Sequence, residues 1–104
     1  MIFKVEVSPA FENDVFAITQ WYADISKDLA TKFYTSLAQA MDYVAHYPNA
    51  SAMRYGKIRC ANIVNFPYSI HYSIDKSRCL IKVYGVLHSS RNPKLWKQIS
   101  KRKL

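Results

Sequence analysis

From Tyr68 to Asp75 apolar and polar residues alternate one for one, with Ile70, Tyr72 and Ile74 on one side and Ser69, His71 and Ser73 on the other. That period predicts a strand with one face for packing. Cys79 to His88 repeats it, placing Cys79, Ile81, Val83 and Leu87 on the apolar side and Lys82, Tyr84, Val86 and His88 on the other. Lys57 to Val64 is a third strand, with Lys57 and Arg59 at the same alternate spacing, and MIFKVEV at the start alternates likewise. Antiparallel pairing of the three later strands would put Lys57, Arg59, Ser69, His71 and His88 on one surface.

Between the first strand and the others the period changes to that of a helix. Ser8 is placed to cap a helix that opens with Pro9, and Glu12 and Asp14 favour its positive end. Phe11, Val15, Ile18, Tyr22 and Ile25 then line one stripe, with Trp21 beside it, and both Trp21 and Tyr22 read as core packing. Leu29, Phe33, Leu37, Ala40 and Val44 line a second helix that starts near Asp28 and is stopped by Pro48. Near the end Asn92 and Pro93 repeat the capping signal, and Leu95, Trp96 and Ile99 suit a short last helix. The predicted order is strand, helix, helix, three strands, helix. This is an α+β fold: an antiparallel sheet with two helices packed on one face and the other face open.

A chain of 104 residues, 50% of them hydrophobic, has the size and the apolar surface for one domain covering residues 1–104. With two glycines and four prolines there is no linker or low-complexity run. The first residues lack a basic stretch followed by an apolar one, and no run is long enough to span a bilayer. These features predict a soluble, cytoplasmic protein that binds no membrane. Cys60 and Cys79 fall on apolar strand positions and read as small core thiols in a reducing compartment. His46, His71 and His88 are far apart and have no carboxylates or thiols at ligand spacing, so no metal, organic cofactor or small-molecule ligand is implied.

The net charge of +8 is unevenly spread. Up to Ser51, three lysines face six carboxylates; from Ala52 onward, twelve cations face Asp75 alone. A basic pole of that kind attracts polyanions or an acidic protein partner.

The series FPYSIHYSID (Phe66 to Asp75) followed by VYGVLHSSRNPKLW (Val83 to Trp96) resembles the RelE/ParE superfamily of bacterial toxins, also called plasmid stabilisation proteins. Ser8 to Ser26 and Asp28 to Pro48 resemble its first and second helices, so the likeness runs nearly the whole chain in order. It implies the toxin of a type II toxin-antitoxin pair, a growth inhibitor neutralised by a cognate acidic antitoxin. Two activities occur on this fold, and the residues must separate them.

In the RelE branch, a ribosome-dependent messenger-RNA endonuclease, a ribose 2′-hydroxyl attacks the adjacent phosphate. The reaction needs a base, an acid and cations for the charge that grows on phosphorus. By resemblance, Lys57 and Arg59 would be the phosphate stabilisers and His88 the catalytic imidazole; by residue type and position alone, Arg91 is a candidate bidentate clamp and His71 a candidate substitute base. The departure is Ser69, which stands where that branch commonly carries an arginine.

The ParE branch binds DNA gyrase and traps its cleaved DNA complex, which requires a surface and no acid or base. Tyr84, Arg91, Lys94, Trp96 and Lys97 are then the anchors, since aromatic and arginine side chains carry most interface energy. Of the two, the ParE-like reading fits better and makes the chain more a binder than an enzyme. A degenerate, non-toxic member that only binds its partner is the third alternative.

Overall fold

Ser8 begins the helical half. Its backbone is extended, its Oγ accepts the Phe11 amide at 3.0 Å, and Pro9 follows as the first helical residue, where a missing N–H costs nothing. The computed structural model describes residues 2–90, and in it β1 (Lys4–Val7) leads through Ser8 into α1 (Pro9–Ile25). Ser26 ends that helix and caps the next, accepting from the Leu29 amide at 3.4 Å, so α2 (Lys27–His46) starts at once. The sequence pointed to Asp28 as the start; the serine two residues earlier offers the hydroxyl that the free amide needs.

After α2 come β2 (Met53–Tyr55), β3 (Ile58–Asn62), β4 (Tyr68–Asp75), a 3-10 turn at Lys76–Arg78, and β5 (Leu80–His88). The sheet order is β1-β5-β4-β3-β2. Strands β3 to β5 pair antiparallel in succession, as the pattern predicted; β2, which it did not predict, adds antiparallel to β3, and β1 lies parallel to β5 and makes the sheet mixed. The cause is β2, three residues too short to show a period. A chain that reversed at each step without it would bring the last strand antiparallel to the first; β2 adds one reversal and turns β5 the other way.

One residue of register decides the faces of β5. Tyr72 pairs with Val83 but His71 pairs with Gly85, so Tyr84 is the extra residue of a bulge. Beyond the bulge the alternation inverts, because side chains change face with every residue. Val86 joins Ile81 and Val83 in the core, and Leu87 passes to the face of Ser69 and Gly85. The sequence pattern alone assigned Val86 and Leu87 the other way round.

The core lies between the helix pair and one face of the sheet. Ile18, Tyr22, Phe33, Leu37 and Val44 meet Ala61, Ile63, Ile70, Tyr72, Ile81, Val83 and Val86. Tyr22, Phe33, Phe66 and Tyr68 stack edge-on or tilted, with ring centroids 5.2 to 6.4 Å apart. The buried Tyr72 hydroxyl donates to the Pro48 carbonyl at 2.7 Å and ties the chain after α2 to the sheet. Ile25 and Trp21, expected in the core, are each 60% exposed, while Tyr22 between them is buried. Among the described residues no helix is long and apolar enough to cross a membrane.

Candidate functional site: the two faces and two ends of the sheet

Cross-strand partners share a face, so the register says which chemistry comes together. His71 pairs with Cys60 and Gly85, and Ser69 with Asn62 and Leu87. Arg59 pairs with Tyr72, whose side chain is in the helix-side core. Arg59 therefore leaves the sheet on the opposite side from His71, where one guanidinium nitrogen donates to the Ser51 carbonyl at 2.6 Å. His88 pairs with Tyr68, also on the helix side. The predicted common surface of Lys57, Arg59, Ser69, His71 and His88 does not form.

The face bearing His71 is closed at its centre. The histidine is 0% exposed, and Ile58, Ser69 and Leu87 around it are buried too. Its Nδ1 lies 2.8 Å from the Tyr55 hydroxyl, and the Cys60 Sγ stands 3.5 and 3.8 Å from the two ring nitrogens. A histidine between two serines reads as a surface residue; here β2 lays Tyr55 over the ring, which shuts it from solvent. Burial pushes the Cys60 thiol up to about 11, with Arg54 pulling the other way. Cys60 thus stays a neutral thiol beside the imidazole, not on the apolar face where the sequence placed it. Ser69 donates to Asn62 Oδ1 at 2.9 Å, so its hydroxyl is spent on the sheet. Arg54, Cys60, Asn62, Ser69 and Leu87 border a recess of about 420 Å³ next to His71.

His88 faces a different recess, of about 490 Å³, shared with Asp14, Ala17 and Ile18 of α1. Its ring stands edge-on to Tyr68 at 5.2 Å, and its Nδ1 accepts the Ser90 amide at 3.1 Å. A ring nitrogen that accepts a backbone N–H carries no proton, so the donor of this imidazole is Nε2. Between His71 and His88 lies the sheet itself.

The structure does bring Lys57, Arg59 and Tyr84 together, at the far end of the sheet. They border one depression with Met53, Ser73, Ile74, Asp75, Lys76 and Lys82. Lys57 is exposed in the β2–β3 turn, and the half-buried Tyr84 hydroxyl lies 2.9 Å from Ser73 Oγ. Along β5 that end is roughly 20 Å from His88. Among the described residues, Lys57, Arg59, Lys76 and Lys82 therefore do not gather beside this histidine, where the sequence pattern led one to expect them. Arg91, Lys94, Trp96, Lys97 and the predicted last helix lie outside the described residues.

Both cysteines are free thiols. Cys79 does not sit on a strand face; with φ of 49° it closes the 3-10 turn in the left-handed region. Sequence reasoning missed Tyr55 and Asn62 beside His71, because pairing His71 with Cys60 and finding Tyr55 above both needs the register and the short β2. It also missed an apolar groove on the other side of the molecule. Phe11, Val15 and Phe16 of α1 face Tyr34, Leu37, Ala38 and Met41 of α2 across about 510 Å³, walled almost wholly by apolar side chains. Phe16 is 70% exposed at its rim. The signal was available: Phe16 and Tyr34 are large apolar residues off the predicted core stripes.

Comparison with known proteins supports the same fold. A chain of the chromosomal ParDE TA system from P. aeruginosa superposes with a TM-score of 0.71 at 15% identity, covering 84% of this chain and 96% of that one. A chain of the toxin-antitoxin complex RelBE2 from Mycobacterium tuberculosis gives 0.56 at 13% identity, over 85% of this chain and 99% of that one. A mutant of the E. coli toxin RelE in the free state gives 0.57 at 13% identity, with both chains fully covered. At such identities the likeness is one of fold. No curated protein matches the sequence. The family model for the ParE toxin of the type II toxin-antitoxin system parDE matches residues 5–93. With that match over most of its length and a mixed sheet backed by two helices, the chain belongs to the ParE toxin family, within the RelE/ParE superfamily.

Proposed function

We propose that the chain is one toxin domain of a toxin-antitoxin pair that works in the cytoplasm by binding DNA gyrase, with no catalytic step of its own, and is held off by a cognate antitoxin. The observation that carries this reading is the separation of the two imidazoles. His71 is shut beneath Tyr55, and His88 lies across the sheet with its Nδ1 engaged. General acid and base must both reach one ribose and phosphate within hydrogen-bond distance, and these two cannot. Ser69, already bonded to Asn62, supplies no cation for a developing phosphorane. Tyr84 and the sequence-derived anchors Arg91, Lys94, Trp96 and Lys97 remain the proposed contacts with the target.

The groove between α1 and α2 supports the antitoxin half of the reading. Its apolar walls suit an amphipathic helix that lays its apolar face between Phe16 and Met41. An acidic extension of the same partner would reach the basic half of the chain.

The RelE-like reading keeps one support, the neighbourhood of Lys57 and Arg59. One experiment separates the two. Purified chain is added to gyrase with relaxed plasmid, and in parallel to translating ribosomes. Loss of supercoiling with accumulation of cleaved plasmid, and intact messages, is the expected result. Cut messenger RNA with normal supercoiling would overturn the proposal, and growth unaffected by overproduction would favour the non-toxic alternative.

A further inference from the structure

The basic half of the chain has a structured end. Where the β2–β3 turn meets the β4–β5 hairpin, a depression of about 570 Å³ is bordered by Lys57, Arg59, Lys76 and Lys82, against the single carboxylate of Asp75. That carboxylate is engaged: it accepts from Ser77 Oγ at 2.8 Å and from the Arg78 amide at 3.3 Å, capping the 3-10 turn. Lys57 and Lys76 are exposed on the two turns, and Lys82 stands half-buried on β5 opposite Ser73. The hydroxyls of Ser73 and Tyr84, 2.9 Å apart, border the same depression.

We propose that this end of the sheet binds the phosphate backbone of duplex DNA, without sequence preference and without cutting it. Lysines carried on turns, with hydroxyls between them, are the groups that contact phosphate oxygens and fix a protein on a duplex while reading no bases. Such a contact is electrostatic and driven by release of counterions. Both described sheet histidines, His71 and His88, lie elsewhere, so the contact holds DNA and does not cleave it. An acidic protein is the competing occupant. It would want several apolar anchors, and here Met53, Ile74 and the half-buried Tyr84 ring supply few beside four cations, whereas the apolar groove is on the helices. The inference goes beyond the gyrase reading, because it does not depend on which protein the toxin binds.

The test is fluorescence anisotropy of a short, labelled, mixed-sequence duplex with the full chain, at salt from about 50 to 200 mM. The triple variant Lys57→Gln/Lys76→Gln/Lys82→Gln should bind at least about tenfold more weakly, with a log–log salt slope smaller in magnitude by about 2 to 3. The matching Lys→Arg triple should bind like the parent, which controls for folding. A third variant, Lys101→Gln/Arg102→Gln/Lys103→Gln, should leave the effect of the first triple in place. Four results would each overturn the proposal: no duplex binding, unchanged binding in the Gln triple, loss that follows the 101–103 changes alone, or displacement of the duplex by polyglutamate at lower charge concentration than by unlabelled DNA. Gyrase inhibition measured on the same variants keeps failure here distinct from failure of the gyrase reading.

Discussion

Asp14, on the second turn of α1, accepts the amide proton of Val86 at 3.0 Å across 72 positions of sequence. Beside it, Ser8 Oγ donates to the Tyr84 carbonyl at 2.8 Å while accepting from Phe11. Strand β1 pairs with β5 only as far as Val83, so past that point the outer edge of β5 has no strand beside it. The first turns of α1 take over from β1, and two side chains satisfy the polar groups that the bulge releases. The Asp14→Ala variant should lose about 1–3 kcal/mol of stability, because it leaves a part-buried N–H unpaired. Ser8→Ala, which removes a helix cap as well, should lose about 2 kcal/mol. Since both bonds hold one bulge, the double variant should depart from the sum by at least about 0.5 kcal/mol in urea unfolding. Strict additivity would mean that the two bonds act independently.

The Tyr55 and His71 pair distinguishes structural from chemical roles. Tyr55→Phe should cost about 1 kcal/mol and leave growth inhibition intact. His71→Ala, which empties a fully buried site, should cost about 2–3 kcal/mol by thermal unfolding. His88→Ala should leave growth inhibition unchanged if no imidazole chemistry is used. Inhibition lost in His88→Ala with an unchanged melting temperature would point back to catalysis.

Cys60 makes stability depend on alkaline pH. Its thiol is held protonated by burial, up to about 11, above the value of 9.0 for a free thiol. The folded state therefore binds this proton more tightly than the unfolded one. That contribution is complete below about pH 9 and is lost as the pH rises through about 11. The urea midpoint should fall over that window in the parent and fall less in Cys60→Ala. Alkylation of Cys60 by iodoacetamide, followed by mass spectrometry, should show a midpoint near the upper end of the window; a midpoint near 8.5 would contradict the burial argument.

The groove on the helices gives a binding prediction. Phe16→Glu and Tyr34→Glu change exposed side chains at its rim and should leave thermal stability within about 0.5 kcal/mol. Each should weaken antitoxin binding by at least about 2 kcal/mol, roughly thirtyfold, by calorimetry. Unchanged affinity in both would move the antitoxin to another face.

Much of this architecture was legible in the residues. Ser8 with Pro9 marked the first helix, the stripes through Phe33 and Leu37 marked the second, and Tyr68 to Asp75 matched β4 at both ends. What escaped was whatever depends on a single residue of register. Tyr84 leaves no local signal as a bulge, yet it decides that Val86 and His88 face α1. Met53 to Tyr55 is too short to alternate, yet it turns β5 parallel to β1 and lays Tyr55 over His71. The groups of the candidate site were therefore visible as residue types, whereas their division between two faces and two ends was set by pairings distant in sequence.

The parallel seam between β1 and β5 also sets a timetable for synthesis. The strand made first finds its neighbour only when the strand from Leu80 to His88 has left the ribosome, and the helix hairpin emerges before any of the later strands that cover its oily side. Until then no intermediate has a finished sheet, and the nascent chain is open to whatever binds an unprotected pair of helices.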